Sequence, residues 1–137
     1  MLDKDKVAPY LAFRRKLFME LHRAGIPMLM ASDSPQVFNV PGFSIHHEIA
    51  LMSEAGMSNL EILKTGSLVP AQYMGTESSW GQVKEGFDAD FVLVENNPLL
   101  DLKTLQKPVG VVIRGQWIER KELQSQLDRI EKNHHRN

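Results

Sequence analysis

The stretch that most limits what this chain can fold into is Ile26-Pro27-Met28-Leu29-Met30-Ala31-Ser32-Asp33-Ser34. A short apolar run ends on a carboxylate, and a loop holding Pro35, Pro41 and Gly42 follows. An apolar run bounded by turn residues predicts a strand over residues 26 to 31, buried on both faces as in a parallel sheet. The residue just past the C-terminal end of such a strand lies where α/β folds gather their chemistry. Asp33 is therefore the first candidate functional residue. On this stretch alone, an aspartate that merely caps a turn or the next helix accounts for the position as well.

The flanks extend the pattern. Val7, Tyr10, Leu11, Leu17, Phe18, Leu21 and Ala24 recur at three-and-four spacing and predict an amphipathic helix over residues 5 to 24, stopped by Gly25. Helix, glycine turn and strand make one step of a repeating α/β fold. The loop after Asp33 runs about ten residues, against two to six for most such connections. Its Val37, Phe38, Val40 and Phe43 could wall a pocket or simply anchor the loop.

Three short helices are expected next. Ser44 is the expected cap of the first, with Ile45, Ile49, Met52 and Ala55 as its stripe and Gly56 as its stop. Ser58 and Glu61 match a capping box for the second, which Gly66 ends. Ser67 starts the third, Pro70 is tolerated in its first turn, Tyr73 and Met74 are expected to face inward, and Gly75 closes it. Beyond Thr76 the texture turns β-rich, with strands expected at Phe91–Val94, Val109–Ile113 and Trp117–Ile118. A charged helix over residues 119 to 133 carries Leu123, Leu127 and Ile130 on one stripe. This division suggests a first unit over residues 1–75 and a second over 76–137.

Composition removes several classes of function. Sixteen Lys plus Arg against seventeen Asp plus Glu give a formal charge of −1 over 137 residues, which argues against a broad nucleic-acid surface. There are no cysteines, hence no disulfide framework, thiolate metal site or Cys nucleophile. No apolar run approaches the roughly 20 residues of a membrane span. The charged start lacks the apolar core of a signal peptide, so a cytoplasmic location is expected.

Several segments together resemble one family. They are Ala24-Gly25-Ile26-Pro27, Ser32-Asp33-Ser34, His47-Glu48-Ile49-Ala50-Leu51-Met52, Glu54-Ala55-Gly56-Met57, Pro70-Ala71 with Gly75, Gly81 through Val92, and Asn97-Pro98-Leu99. In this order and spacing they resemble the C-terminal portion of a metal-dependent amidohydrolase, of the imidazolonepropionase-like and prolidase-like branch. The resemblance implies an α/β architecture: the last strand and flanking helices of a (β/α)8 barrel, then part of a small β-sandwich and a C-terminal helix. Residues 26 to 31 match the eighth strand. Asp33 matches the carboxylate that contacts the catalytic metal and handles the proton of the attacking water. The family has Gly-Thr before this Asp, where the present chain has Ala31-Ser32.

The same resemblance implies partners for Asp33 that have no counterpart in the sequence. These are a His-x-His pair after the first strand, a Lys or Glu after the fourth, and histidines after the fifth and sixth. A catalytic zinc wants three protein ligands and an open position, and a barrel of this type takes roughly 250 residues. The chain therefore reads as a fragment or a truncated gene product, inactive by itself. The implied cofactor of the complete enzyme is a divalent metal, with zinc expected. Whether this chain alone holds any is left open.

Ser34 is a candidate to orient Asp33 by hydrogen bonding, and His47 a candidate to touch substrate or the Asp33 loop. A turn serine and a helix-start histidine are the plain alternatives. His46 and His47 are adjacent and point about 100 degrees apart on a helix, so they do not converge on one ion. His22, near the end of the first helix, suits the helix dipole. Asp88 and Asp90 read as turn residues ahead of a strand. Two functions follow. One is part of a metal-dependent hydrolase of amide, lactam or dipeptide-like C–N bonds acting on a small molecule. The other is a non-catalytic folding or oligomerisation module derived from such an enzyme. A lone barrel strand has open edges, so a homo-oligomer or a complementing N-terminal barrel portion is the expected partner, with no nucleic acid and no membrane.

Overall fold

The computed structural model describes residues 4–134. Helix α1 spans Lys4–Arg23 and ends as its glycine requires. Gly25 adopts φ +79, its N–H donates to His22 O, and the Ile26 N–H donates to Leu21 O. This pair of bonds satisfies carbonyls that the last turn leaves free, and the positive φ is one that glycine adopts without penalty. The same pair closes α2 (Ser44–Ala55) at Gly56 and α4 (Leu68–Met74) at Gly75. Between them α3 (Asn59–Thr65) starts on the expected capping box: the Ser58 hydroxyl accepts from the Glu61 N–H, and the Glu61 carboxylate accepts from the Ser58 N–H.

The core is small. Ile49 and Met52 of α2, Met57, Ile62 of α3 and Leu102 of a 3-10 helix (Leu102–Gln106) are buried together. Phe18, Met19, Met28, Met30, Leu63 and Leu105 close over them. Thr65 is also buried, and its hydroxyl donates to Ile62 O at 2.6 Å, so the polar atom is satisfied.

The C-terminal part is a three-stranded antiparallel sheet in the order β1 (Phe91–Leu93), β2 (Gly110–Ile113), β3 (Gln116–Glu119). Strands β2 and β3 pair from Gly110 with Glu119 to Ile113 with Gln116. Arg114 and Gly115, both at positive φ, form the two-residue turn whose twist suits such a hairpin. The Asp90 carboxylate accepts from the Arg114 N–H, and Ala89 O from the Gly115 N–H, so the residue ahead of β1 does pin the turn. The Trp117 ring lies over Gly110, where a Cβ would collide with it. Helix α5 (Arg120–His134) packs on β2 and β3.

Several expectations need correcting. Residues 26 to 31 form no strand. Beyond the Ile26 N–H bond that closes α1, their backbone bond to another element is the Met30 N–H to Thr65 O at 3.0 Å, and no strand flanks them among the described residues. They are also not buried on both faces. Positions 28, 30, 32 and 34 are half-buried, and 27, 29, 31 and 33 are exposed. Tyr73 and Met74 do not face inward but stand 69% and 65% exposed, because α4 buries only Ala71. On α1, Phe18 and Met19 meet the core, whereas Tyr10, Leu11, Leu17 and Leu21 of the expected stripe are exposed, as is Phe13. The cap of α2 is Phe43, and the Ser44 hydroxyl instead accepts from the Val40 N–H at 2.8 Å. Of the α5 stripe only Leu123 is half-buried, near the end that meets the sheet, and Leu127 and Ile130 are exposed.

Candidate functional site

Asp33 closes the alternating segment on its exposed side. Its φ is +53, a left-handed conformation that Asp tolerates better than most residues. The chain then turns through Ser34 and Pro35, whose peptide bond is cis, into a tight turn over Gln36 to Asn39. The two ends of that turn form an isolated β-bridge, with the Asn39 N–H donating to Gln36 O at 2.9 Å. The Gln36 side-chain amide donates to Asp33 Oδ2 at 2.7 Å. This is the one hydrogen bond to that carboxylate among the described residues.

The other expected site residues are placed as follows. Ser34 is half-buried, and its hydroxyl accepts from the Ser32 hydroxyl at 3.0 Å. It makes no hydrogen bond to Asp33. His47 lies exposed in the first turn of α2, next to the half-buried His46. Between Asp33 and α2 the loop displays Val37 and Phe38, 82% and 96% exposed, with Val40 and Phe43 also open. Phe38 sits at φ +68, a conformation that costs an aromatic residue on the order of 1–3 kcal/mol. Gln36 was not singled out by the sequence. The signal available was its spacing, three residues after an aspartate across a proline turn.

The strongest electrostatic perturbation lies elsewhere. Glu61 is lowered to about 2, first by its hydrogen bond with the Ser58 side chain, then by the one from His22, and then by the Ser58 backbone. His22 Nε2 donates to Glu61 Oε1 at 2.9 Å, so this pair ties the end of α1 to the start of α3. It is a structural clamp at the edge of a cleft of about 200 Å³, which the pair lines together with Pro27, Met28, Thr65 and Val69. A cleft of about 200 Å³ between α1 and α2 is lined by Leu11, Phe18, Leu51 and Met52, and does not include Asp33.

These residues do not by themselves make a divalent-cation site. Asp33 offers one oxygen, Oδ1, that accepts no hydrogen bond from the described residues. No group of three or more His, Cys, Asp or Glu converges anywhere among them. One carboxylate suits a ligand position but does not make a site, which needs three or more donors. What the carboxylate can do alone is accept a proton from a nearby water and give it up again. No helix among the described residues is long and apolar enough to cross a membrane.

Comparison with known proteins gives the local arrangement a wider frame. Residues 11–118 match the model of the amidohydrolase family. The chain is 30% identical over 98 residues to ochratoxinase of Aspergillus niger, a match covering 70% of this chain and 19% of that enzyme. A candidate prolidase from Bifidobacterium longum is 30% identical, with a TM-score of 0.66 over 72% of this chain and 24% of that one. A Xaa-Pro dipeptidase solved with methionine in its active site is 21% identical, with a TM-score of 0.67 over 77% of this chain and 25% of that one, a likeness of fold. The chain thus spans about a fifth of the length of the curated relatives it matches and about a quarter of the solved ones.

Proposed function

The chain belongs to the amidohydrolase family, and from that premise we propose that it forms part of a hydrolase of C–N bonds in which Asp33 takes and returns the proton. The observation that carries this reading is the alternation along residues 27 to 34. Met28 and Met30 face the helices, and Leu29, Ala31 and Asp33 face the other way, with their backbone largely unpaired. In a closed barrel, side chains alternate between the helix layer and the interior. That parity supports residues 26 to 31 as a barrel strand awaiting its neighbours, and Asp33 as an interior carboxylate at its C-terminal end, where barrel enzymes keep their chemistry.

The proton path is short. Asp33 accepts a proton from a water as its oxygen attacks the carbonyl carbon. The C–N bond breaks, and the same carboxyl group gives the proton to the leaving nitrogen. Ser34 and His47 are proposed as supports of Asp33 or contacts to substrate. Members of this family are generally metal-dependent. The donors such a cation needs beside Asp33, zinc being the first candidate, would come from polypeptide outside these residues. Strands β1 to β3 are proposed as part of a small β-sandwich completed in the same way. The substrate is proposed to be a small amide, lactam or dipeptide.

A second reading, a non-catalytic association module, is favoured by the surface. The chain exposes 10878 Å² at 15.6 kDa, where the scaling for compact monomers gives about 7,250 Å². The excess supports a homo-oligomer or a complementing barrel portion laid over α1 and residues 26 to 33. One experiment separates the readings. The chain replaces the matching quarter of the Bifidobacterium longum relative, and the chimera and the 137-residue chain are assayed on a panel of dipeptides and lactams with zinc. Hydrolysis by the chimera alone supports the enzymatic reading. A folded chimera that hydrolyses none of the panel supports the association module.

A further inference from the structure

Exposed carboxylates rotate. Among the described residues Asp33 has no ladder to hold its backbone and no ion pair to hold its side chain, so without a further contact its χ1 would sample three staggered wells. A group that must take a proton from one direction needs one of them. The structure supplies a device for this. The Gln36 amide reaches Oδ2 at 2.7 Å, a hydrogen bond made stronger by the carboxylate charge. The Gln36 backbone is itself held, since its carbonyl closes the turn to the Asn39 N–H at 2.9 Å. The turn is fixed in its turn to α2. The Ser44 hydroxyl accepts from the Val40 N–H at 2.8 Å, and Val40 O accepts from the N–H groups of Phe43 and Ser44. Hydrogen bonds joined through the covalent chain therefore connect the start of α2 to one oxygen of the carboxylate.

The residue type matters. A lysine or arginine in this place would hold the carboxylate but offset its negative charge and weaken it as a base. A neutral amide fixes the direction and leaves the charge. We propose that Gln36 is a positioning residue for Asp33, engaging Oδ2 so that Oδ1 alone faces the reacting groups. The proposal rests on the reading of Asp33 as the proton-handling carboxylate, and its test is chosen so that the two can fail separately.

The first arm uses NMR of the isotopically labelled 137-residue chain and needs no activity. The wild type is expected to show Hα–Hβ couplings of a single Asp33 rotamer. Gln36→Leu is expected to average the Asp33 couplings while the Asn39 amide stays protected from exchange. Gln36→Arg, which keeps a donor of similar reach, is expected to restore the single rotamer. Averaged couplings in the wild type overturn the proposal, as does a single rotamer in Gln36→Leu. Loss of Asn39 protection in Gln36→Leu also overturns it, because Gln36 then only holds the turn together.

The second arm uses the chimera. Gln36→Leu is expected to lower kcat by about ten- to a hundredfold with KM unchanged, the mark of a misdirected group. An unchanged kcat overturns the positioning role and leaves Asp33 untouched. Full activity of Asp33→Asn overturns the role of Asp33 itself, whatever the couplings in the isolated chain.

Discussion

At the scale of the residue, the groups with the strongest local interactions are not the candidate functional ones. Glu61 serves the fold. Its carboxylate is held at about 2 from an ordinary 4.5, chiefly by the Ser58 side chain and then by His22. A carboxylate depressed in the folded state contributes stability that is complete above its unfolded value and is lost as pH falls through the folded one. The expected outcome is a fall in stability between pH 4.5 and about 2 that is absent in Glu61→Gln. The group is 44% exposed, so solvent screening holds the effect to on the order of 1 kcal/mol. Urea midpoints of the two proteins across that range check it. Gln36, by contrast, has no periodic signature and belongs to no helix or strand. Only the folded turn brings its amide to Asp33.

At the scale of the element, two substitutions test how the pieces are joined. Gly81 sits at φ +90 against α4, where a Cβ would lie 2.8 Å from Ala71 Cβ and 2.9 Å from Ser67 O. Gly81→Ala is expected to cost about 1–3 kcal/mol through the backbone strain and the collision with backbone atoms, read as a lower urea midpoint. Ile62 is the largest side chain fully buried in the core. Its truncation to Ala is expected to cost about 2–5 kcal/mol, a large fraction of a marginal stability, read by thermal unfolding.

The elements whose ends depend on local chemistry were legible in the sequence. Gly25, Gly56 and Gly75 mark helix ends because the αL cap favours glycine, and Ser58 with Glu61 marks a start because both groups satisfy free N–H donors. Which face of an element is covered was legible for α2, whose Ile49 and Met52 are buried, but not for α1 or α4. Periodicity says which side chains share a face, but not whether a partner stands opposite. That is why Tyr73 and Met74, and much of the α1 stripe, were expected inside and stand outside. The burial of the stretch at 26 to 31 was misjudged for the same reason. Its apolar residues are those of a strand covered on both faces, and here only one face is covered.

At the scale of the whole molecule, the uncovered surfaces lead to one expectation. The outward residues of α1 and the Leu29 side of the 26-to-33 segment are apolar surfaces with no partner among the described residues. Surfaces of that kind mark places where another polypeptide sits. The chain is expected to self-associate in solution, with the apparent mass by light scattering rising with concentration. Leu17→Glu on the outward side of α1 is expected to reduce that rise without changing the helix content. A constant monomer mass over a wide concentration range would count against the expectation. The proposed hydrolysis nevertheless depends on a single carboxylate. The most direct measurement is kcat for Asp33→Asn in the barrel chimera against the parent chimera, on the best dipeptide or lactam of the panel. If Asp33 moves the proton, the variant folds as the parent does and loses about 10²–10⁴-fold in kcat. A variant that turns over at the parent's rate would contradict the assignment.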